Sequence, residues 1–145
     1  MNTYDISTDP GRLQLDAIHA YLVRSYWSPG IPKELVVRAI ANSLCFGLYQ
    51  GESQVGFARV VTDQASFAYL ADVYVLEEHR GQGLSKRLVA EILAHPGLQG
   101  LRRVLLATAD AHGLYAQFGF KALARPQNMM ELRIPPAWLQ ADAGR

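Results

Sequence analysis

The stretch Arg80-Gly81-Gln82-Gly83-Leu84-Ser85 has the make-up of an anion-binding turn. Two glycines flank one residue, and a helix-forming run from Leu84 to Leu93 follows at once. A helix entered through glycines leaves its first backbone N–H groups unpaired, with the positive end of the helix dipole behind them. Glycine has no Cβ to keep an anion at a distance. Arg80 adds a positive charge, and Lys86 and Arg87 are either solvated or within reach of the same ligand. The chemistry this suits is phosphate binding. Two better-known phosphate loops do not fit, because Lys86 stands where the dinucleotide fingerprint needs a third glycine and no Gly-Lys-Ser/Thr run exists. A plain strand-to-helix turn is the alternative.

Other residues with chemical potential are scattered. Asp72 is the one charged residue in the apolar run Phe67 to Val75, and strand alternation puts it on the side of Leu70 and Tyr74. A carboxylate there must find partners or shift its pKa. It either accepts structural hydrogen bonds or serves as a base. Tyr26 and Trp27 sit beside Pro29, Gly30 and Pro32, as packing anchors or as ligand contacts. Cys45 has no His near it in sequence and reads as a small buried side chain rather than a nucleophile. His19, His79, His95 and His112 show no metal-ligand spacing, so no metal is expected.

Three segments in order, Asp72-Val-Tyr-Val75, His79-Arg-Gly-Gln-Gly-Leu84 and Leu114-Tyr-Ala-Gln-Phe-Gly-Phe120, resemble the GNAT superfamily of acetyl-CoA-dependent N-acetyltransferases. The likeness runs from Leu13 to Leu132. It implies an α/β (α+β) fold with a mixed central sheet, antiparallel N-terminal strands and a splayed parallel pair, flanked by about four helices. It implies acetyl-CoA as cosubstrate, its pyrophosphate on the amides of Arg80, Gly81, Gln82, Gly83, Leu84 and Ser85. Ser85 departs from the family's Gly or Ala but is small enough for close approach. Pantetheine would lie along the strand carrying Val73 and Val75. Tyr115 takes the place of the general acid that protonates the departing thiolate, unless its ring only packs the last helix. Asp72 would be a base acting directly or through water, although where the family commonly has a Glu this chain has Tyr69. Tyr26 and Trp27 fall on the wall of the acceptor site.

The elements that must position these residues are legible in order. Thr3 to Ser7 forms a short strand, and Asp9-Pro10-Gly11 turns into a helix whose Leu15, Ile18 and Leu22 share one face. After the proline-bounded break, Pro32 to Asn42 forms a second helix. Ser43 to Gln50 and Gln54 to Thr62 make a hairpin about Gly51, and Asp63-Gln64 turns into a third strand, Phe67 to Val75. The helix from Leu84 ends at His95-Pro96-Gly97, and the strand Arg103 to Ala107 lies parallel to Phe67–Val75 because a helix crossover joins them. A last helix covers Ala111 to Phe118 with Asp110 as its N-cap, Met129 to Ile134 returns as a final strand, and the tail after Pro136 is loose.

A chain of 145 residues suits one domain, 1–145, and half of those residues are hydrophobic. A net charge of +1 gives no electrostatic footprint for nucleic acid or an acidic membrane surface. No apolar run reaches membrane-spanning length, the N-terminus lacks a signal segment, and the single cysteine suits a reducing compartment, so a cytoplasmic location is expected. The resemblance leaves the amine acceptor unnamed, small molecule or peptide, and unpaired strand edges in such a sheet are open to homodimer formation. Two other classes compatible with the motifs are a catalytically silent acetyl-CoA-binding regulator and a nucleic-acid-directed acetyltransferase, against which Tyr115 and the low net charge respectively argue.

Overall fold

Val, Phe and Tyr alternating between short polar turns build a continuous meander: β2 (Leu44–Gln50), β3 (Ser53–Thr62) and β4 (Phe67–Val75). Their connections are too short to cross the sheet, so each pair is antiparallel. The computed structural model describes residues 3–139. Strand β1 (Tyr4–Ser7) adds antiparallel to β2, and β5 (Arg103–Leu106) adds parallel to β4, giving the order β1-β2-β3-β4-β5. The parallel step requires a crossover, supplied by α3 (Leu84–Ala94).

Helices cover both faces of the sheet. On one side Phe46, Ala58, Val60, Ala68 and Leu70 meet Leu88, Val89 and Ile92 of α3 and Tyr115 of α4 (His112–Ala116). On the other, Cys45, Phe57 and Tyr74 meet Ile18 and Leu22 of α1 (Leu15–Leu22) and Val36 of α2 (Lys33–Ala41). Each fully buried Leu, Ile, Val or Phe in these clusters contributes roughly 1.5–3 kcal/mol. The fold is the expected mixed α/β arrangement, and its strands and helices fall within a few residues of the expected bounds. Cys45 is buried, and burial pushes its thiol up to about 11, which leaves almost no thiolate at neutral pH.

Four local expectations need correction. Alternation does not carry through β4: Leu70 packs toward α3 while Tyr74 packs toward α1, because an irregularity in the β3–β4 ladder inserts Asp72 as an extra residue. Asp110 does not cap α4; Ala111 is the N-cap, and the hydroxyl of Thr108 accepts from the Ala111 N–H at 3.0 Å. Residues 129–134 carry no regular secondary structure and enter no sheet, since the strand order ends at β5. The tail after Pro136 is docked over its described part: 137–139 make a helical turn, and the Trp138 indole N–H donates to the Pro29 carbonyl at 2.9 Å. Residues 140–145 lie outside the described residues. No helix among the described residues is long and apolar enough to cross a membrane.

Candidate active site

Gly81 and Gly83 both hold positive φ, +82° and +74°, which L-residues with a Cβ disfavour. Gly83 is the N-cap of α3 and brings no side-chain cap, so the first N–H groups of that helix keep their donors free. A Cβ at Gly81 or Gly83 would stand in open space, with no described atom within 4 Å. The loop is therefore a cradle of backbone donors with room on its outer side. Leu84 anchors it from below, buried with Tyr4, Leu48, Val55 and Val75. Gln82 donates to the Tyr4 hydroxyl and to the His79 carbonyl, both at 3.2 Å. Ser85 is half-buried in the first turn of α3.

Arg80 turns away from the cradle. Its Nε donates to the Val75 carbonyl at 2.8 Å and its Nη2 to the Tyr21 hydroxyl at 2.9 Å. The Val75 carbonyl captures it at the open end of β4, where the neighbouring strand has already parted. Arg87 likewise donates to the Tyr4 carbonyl.

The parting is visible in the register. The β4–β5 ladder runs from Phe67↔Arg103 to Leu70↔Leu106 and stops, while β4 continues to Val75. Val73 therefore lies in the part of β4 that β5 leaves unpaired. At the start of this seam Asp72 takes φ +56°, a left-handed geometry that Asp tolerates better than most residues. Its carboxylate is held from two sides, by Arg59 Nε on Oδ2 and by the Trp27 indole N–H on Oδ1, both at 2.8 Å. Arg59 also donates to the Ser43 hydroxyl at 3.1 Å. Beside this ion pair a cavity of about 50 Å³ is walled by Leu22, Ser28, Ile31, Val36 and Ile40. A larger hollow of about 170 Å³ lies at the far end of α3, by Glu91 and His95, and none of the motif residues lines it.

Tyr26 and Trp27 bridge the seam. Trp27 is tied to β4 through Asp72, and the Tyr26 hydroxyl accepts from the Ala109 N–H at 3.2 Å, on the turn between β5 and α4. Both rings are solvent-exposed, at 59% and 39%, and meet edge-to-face with centroids 5.0 Å apart. On the α4 side the Tyr115 ring is buried against Phe120. Burial pushes its phenol above the ordinary value, with Tyr26 and Asp110 acting in the same direction, so the hydroxyl keeps its proton at neutral pH.

The stretch that holds the meander, cradle and α4 is also the one that matches a known family. Residues 41–122 match the acetyltransferase (GNAT) domain. The chain belongs to the GNAT acetyltransferase family. A Gibberella zeae protein provisionally named an acetyltransferase is 39% identical, over 79% of this chain and 76% of that one. A crystal structure of a provisionally assigned GNAT-family acetyltransferase from Xanthomonas campestris pv. campestris is 51% identical, with TM-score 0.91, covering 95% of this chain and 98% of that one. A Clostridium acetobutylicum protein described as an acetyltransferase, solved with acetyl-CoA, shares the fold at TM-score 0.66 and 12% identity, covering 92% of this chain and 96% of that one.

Two residues of this GNAT site escaped the sequence reading. Arg59 is the lone charge in the apolar stretch of β3, as Asp72 is in β4, and two lone opposite charges on neighbouring strands are a readable sign of a buried pair. Tyr21 carries no such sign. It stacks on Tyr74 at 3.9 Å and receives Arg80, linking α1 to the cradle. Among the described residues no group of three or more His, Cys, Asp or Glu side chains is placed to hold a metal ion.

Proposed function

We propose that this GNAT chain is an N-acetyltransferase that moves an acetyl group from acetyl-CoA to a primary amine by direct transfer in a ternary complex. One observation carries the reading: an open seam between β4 and β5 has free helix-terminal donors at one end and a protonated phenol on its α4 side, with two exposed aromatic rings across its mouth. The open space at Gly81 and Gly83 fits a pyrophosphate received by the N–H groups of Gly81 to Ser85. The unpaired stretch of β4 at Val73 suits the amide-rich pantetheine arm, whereas the Val75 carbonyl is already taken by Arg80. Acetyl-CoA supplies the activated acetyl group and a thiolate leaving group.

The chain's own residues then have separate tasks. Tyr115 donates its proton toward the leaving sulfur. Asp72, ion-paired and held on both oxygens, attracts the acceptor's ammonium and passes its proton on through water. Trp27 and Tyr26 present apolar ring surface to the acceptor, whose smaller parts fit the cavity beside Arg59 and Asp72.

Replacing Trp27 with alanine is the experiment that places the acceptor. The Michaelis constant for the amine should rise about tenfold, the worth of one lost aromatic contact, while that for acetyl-CoA changes little. If both constants stay unchanged in a folded variant, the ring only packs and the acceptor enters elsewhere.

A further inference from the structure

The cavity beside Arg59 and Asp72 has one polar end and little room. Its walls include the apolar side chains of Leu22, Ile31, Val36 and Ile40, and apart from Ser28 its polar lining is the ion pair itself. No other charged residue lines it among the described residues. The pair is largely sequestered, with the Arg59 and Asp72 side chains 20% and 10% exposed. Arg59 is fixed by more than its partner. Its Nε donates to Asp72 and its Nη1 to the Ser43 hydroxyl, which itself donates to the Ala39 carbonyl at 2.8 Å. Its Nη2 has no acceptor among the described residues. A guanidinium locked through two nitrogens, with the third unused, is a preorganised donor for one more anion.

Resting on the acetyl-transfer reading above, we propose that the acceptor is a short aliphatic amine that also carries a carboxylate, bound as the zwitterion. Arg59 Nη2 is the specificity-determining contact for that carboxylate. Charge balance selects the class. The ion pair sums to zero, so a bare alkylammonium drawn to Asp72 leaves a net positive charge in a site with little exposure, which is costly. It also competes with Arg59 for the same carboxylate. A zwitterion brings no net charge, and it sets its ammonium on Asp72 and its carboxylate on Arg59. Size selects the length. A cavity of about 50 Å³, against roughly 10–15 Å³ for one water, admits only a few non-hydrogen atoms. That suits a short unbranched chain and leaves no room for an aromatic side chain.

Steady-state rates on pairs of amines that differ only in the carboxylate test the assignment. The pairs are glycine and methylamine, β-alanine and ethylamine, and 4-aminobutyrate and propylamine, each rate corrected for the fraction of neutral amine. In the pair of best-fitting length, kcat/KM should favour the amino acid about ten- to a hundredfold, the worth of one charge-assisted hydrogen bond. Arg59→Lys keeps a cation beside Asp72 but lacks the fork, and should abolish most of that preference with the KM for acetyl-CoA unchanged. A loss of packing alone would lower both rates of a pair together and leave their ratio. Should that variant fail to fold, the wild-type pairs decide alone. Equal rates within every pair overturn the inference and leave acetyl transfer standing. A preference that survives in folded Arg59→Lys removes Arg59 from recognition. Calorimetry with the same six amines, on the chain loaded with coenzyme A, separates binding from chemistry. Amino acids that bind more tightly than their paired amines, yet are not acetylated, support the Arg59 site and fail acetyl transfer. Amino acids that neither bind nor react overturn the site.

Discussion

Gly83→Val should lower the affinity for acetyl-CoA about 10²–10⁴-fold, the equivalent of losing two charge-assisted hydrogen bonds worth about 1.5–3 kcal/mol each. The glycine has two separate reasons to be there. Its φ of +74° strains any β-branched residue, and the space beside it is empty in the chain itself. Valine therefore both distorts the cradle and fills it. Gly83→Asn separates the two effects, because asparagine tolerates the left-handed geometry yet still fills the space. Calorimetry on both variants, with circular dichroism to verify folding, should show weakened binding in each. Full affinity in the folded asparagine variant would mean that the ligand's phosphates do not approach Gly83.

Tyr115→Phe should reduce turnover about 10²–10⁴-fold while leaving the binding of acetyl-CoA nearly unchanged. The ring's packing on Phe120 survives the substitution, and only the hydroxyl is lost. The pH dependence adds a second readout. Because burial raises the phenol's pKa, the protonated acid persists beyond the ordinary phenol range, and turnover should hold on the alkaline side to correspondingly higher pH. In Tyr115→Phe that limb should be absent. Near-wild-type turnover in the variant, with chemistry rate-limiting, would remove Tyr115 from the mechanism.

The elements were legible in the sequence where burial follows a simple period. The α3 stripe Leu84, Leu88, Val89 and Ile92 and the hairpin about Gly51 were readable for that reason. So was the cradle, because glycines before a helix have a specific physical use. The Asp72 irregularity was not, since one inserted residue reverses the faces of a strand without disturbing its apolar composition. Arg80 could be placed beside the cradle, but its turn toward Val75 and Tyr21 depends on a carbonyl that only the parting of β5 leaves open. Trp138 docks on Pro29 through a contact more than a hundred residues long-range, which no local pattern encodes. For residues 129–134 the alternation suggested a final strand, yet the segment joins no sheet among the described residues, because alternation alone does not supply a neighbouring strand edge.

Acetyl transfer itself is the claim on which the rest depends, and mass spectrometry of both products tests it most directly. The purified chain would be incubated with acetyl-CoA and a panel of primary amines: small metabolites, polyamines, amino acids and peptides with free N-termini. The expected result is release of coenzyme A matched mole for mole by one class of N-acetylated amine, fast in the wild type and slow in Tyr115→Phe. Acetyl-CoA that binds tightly but stays intact with every amine in the panel would contradict it, and would make the chain a ligand-binding module.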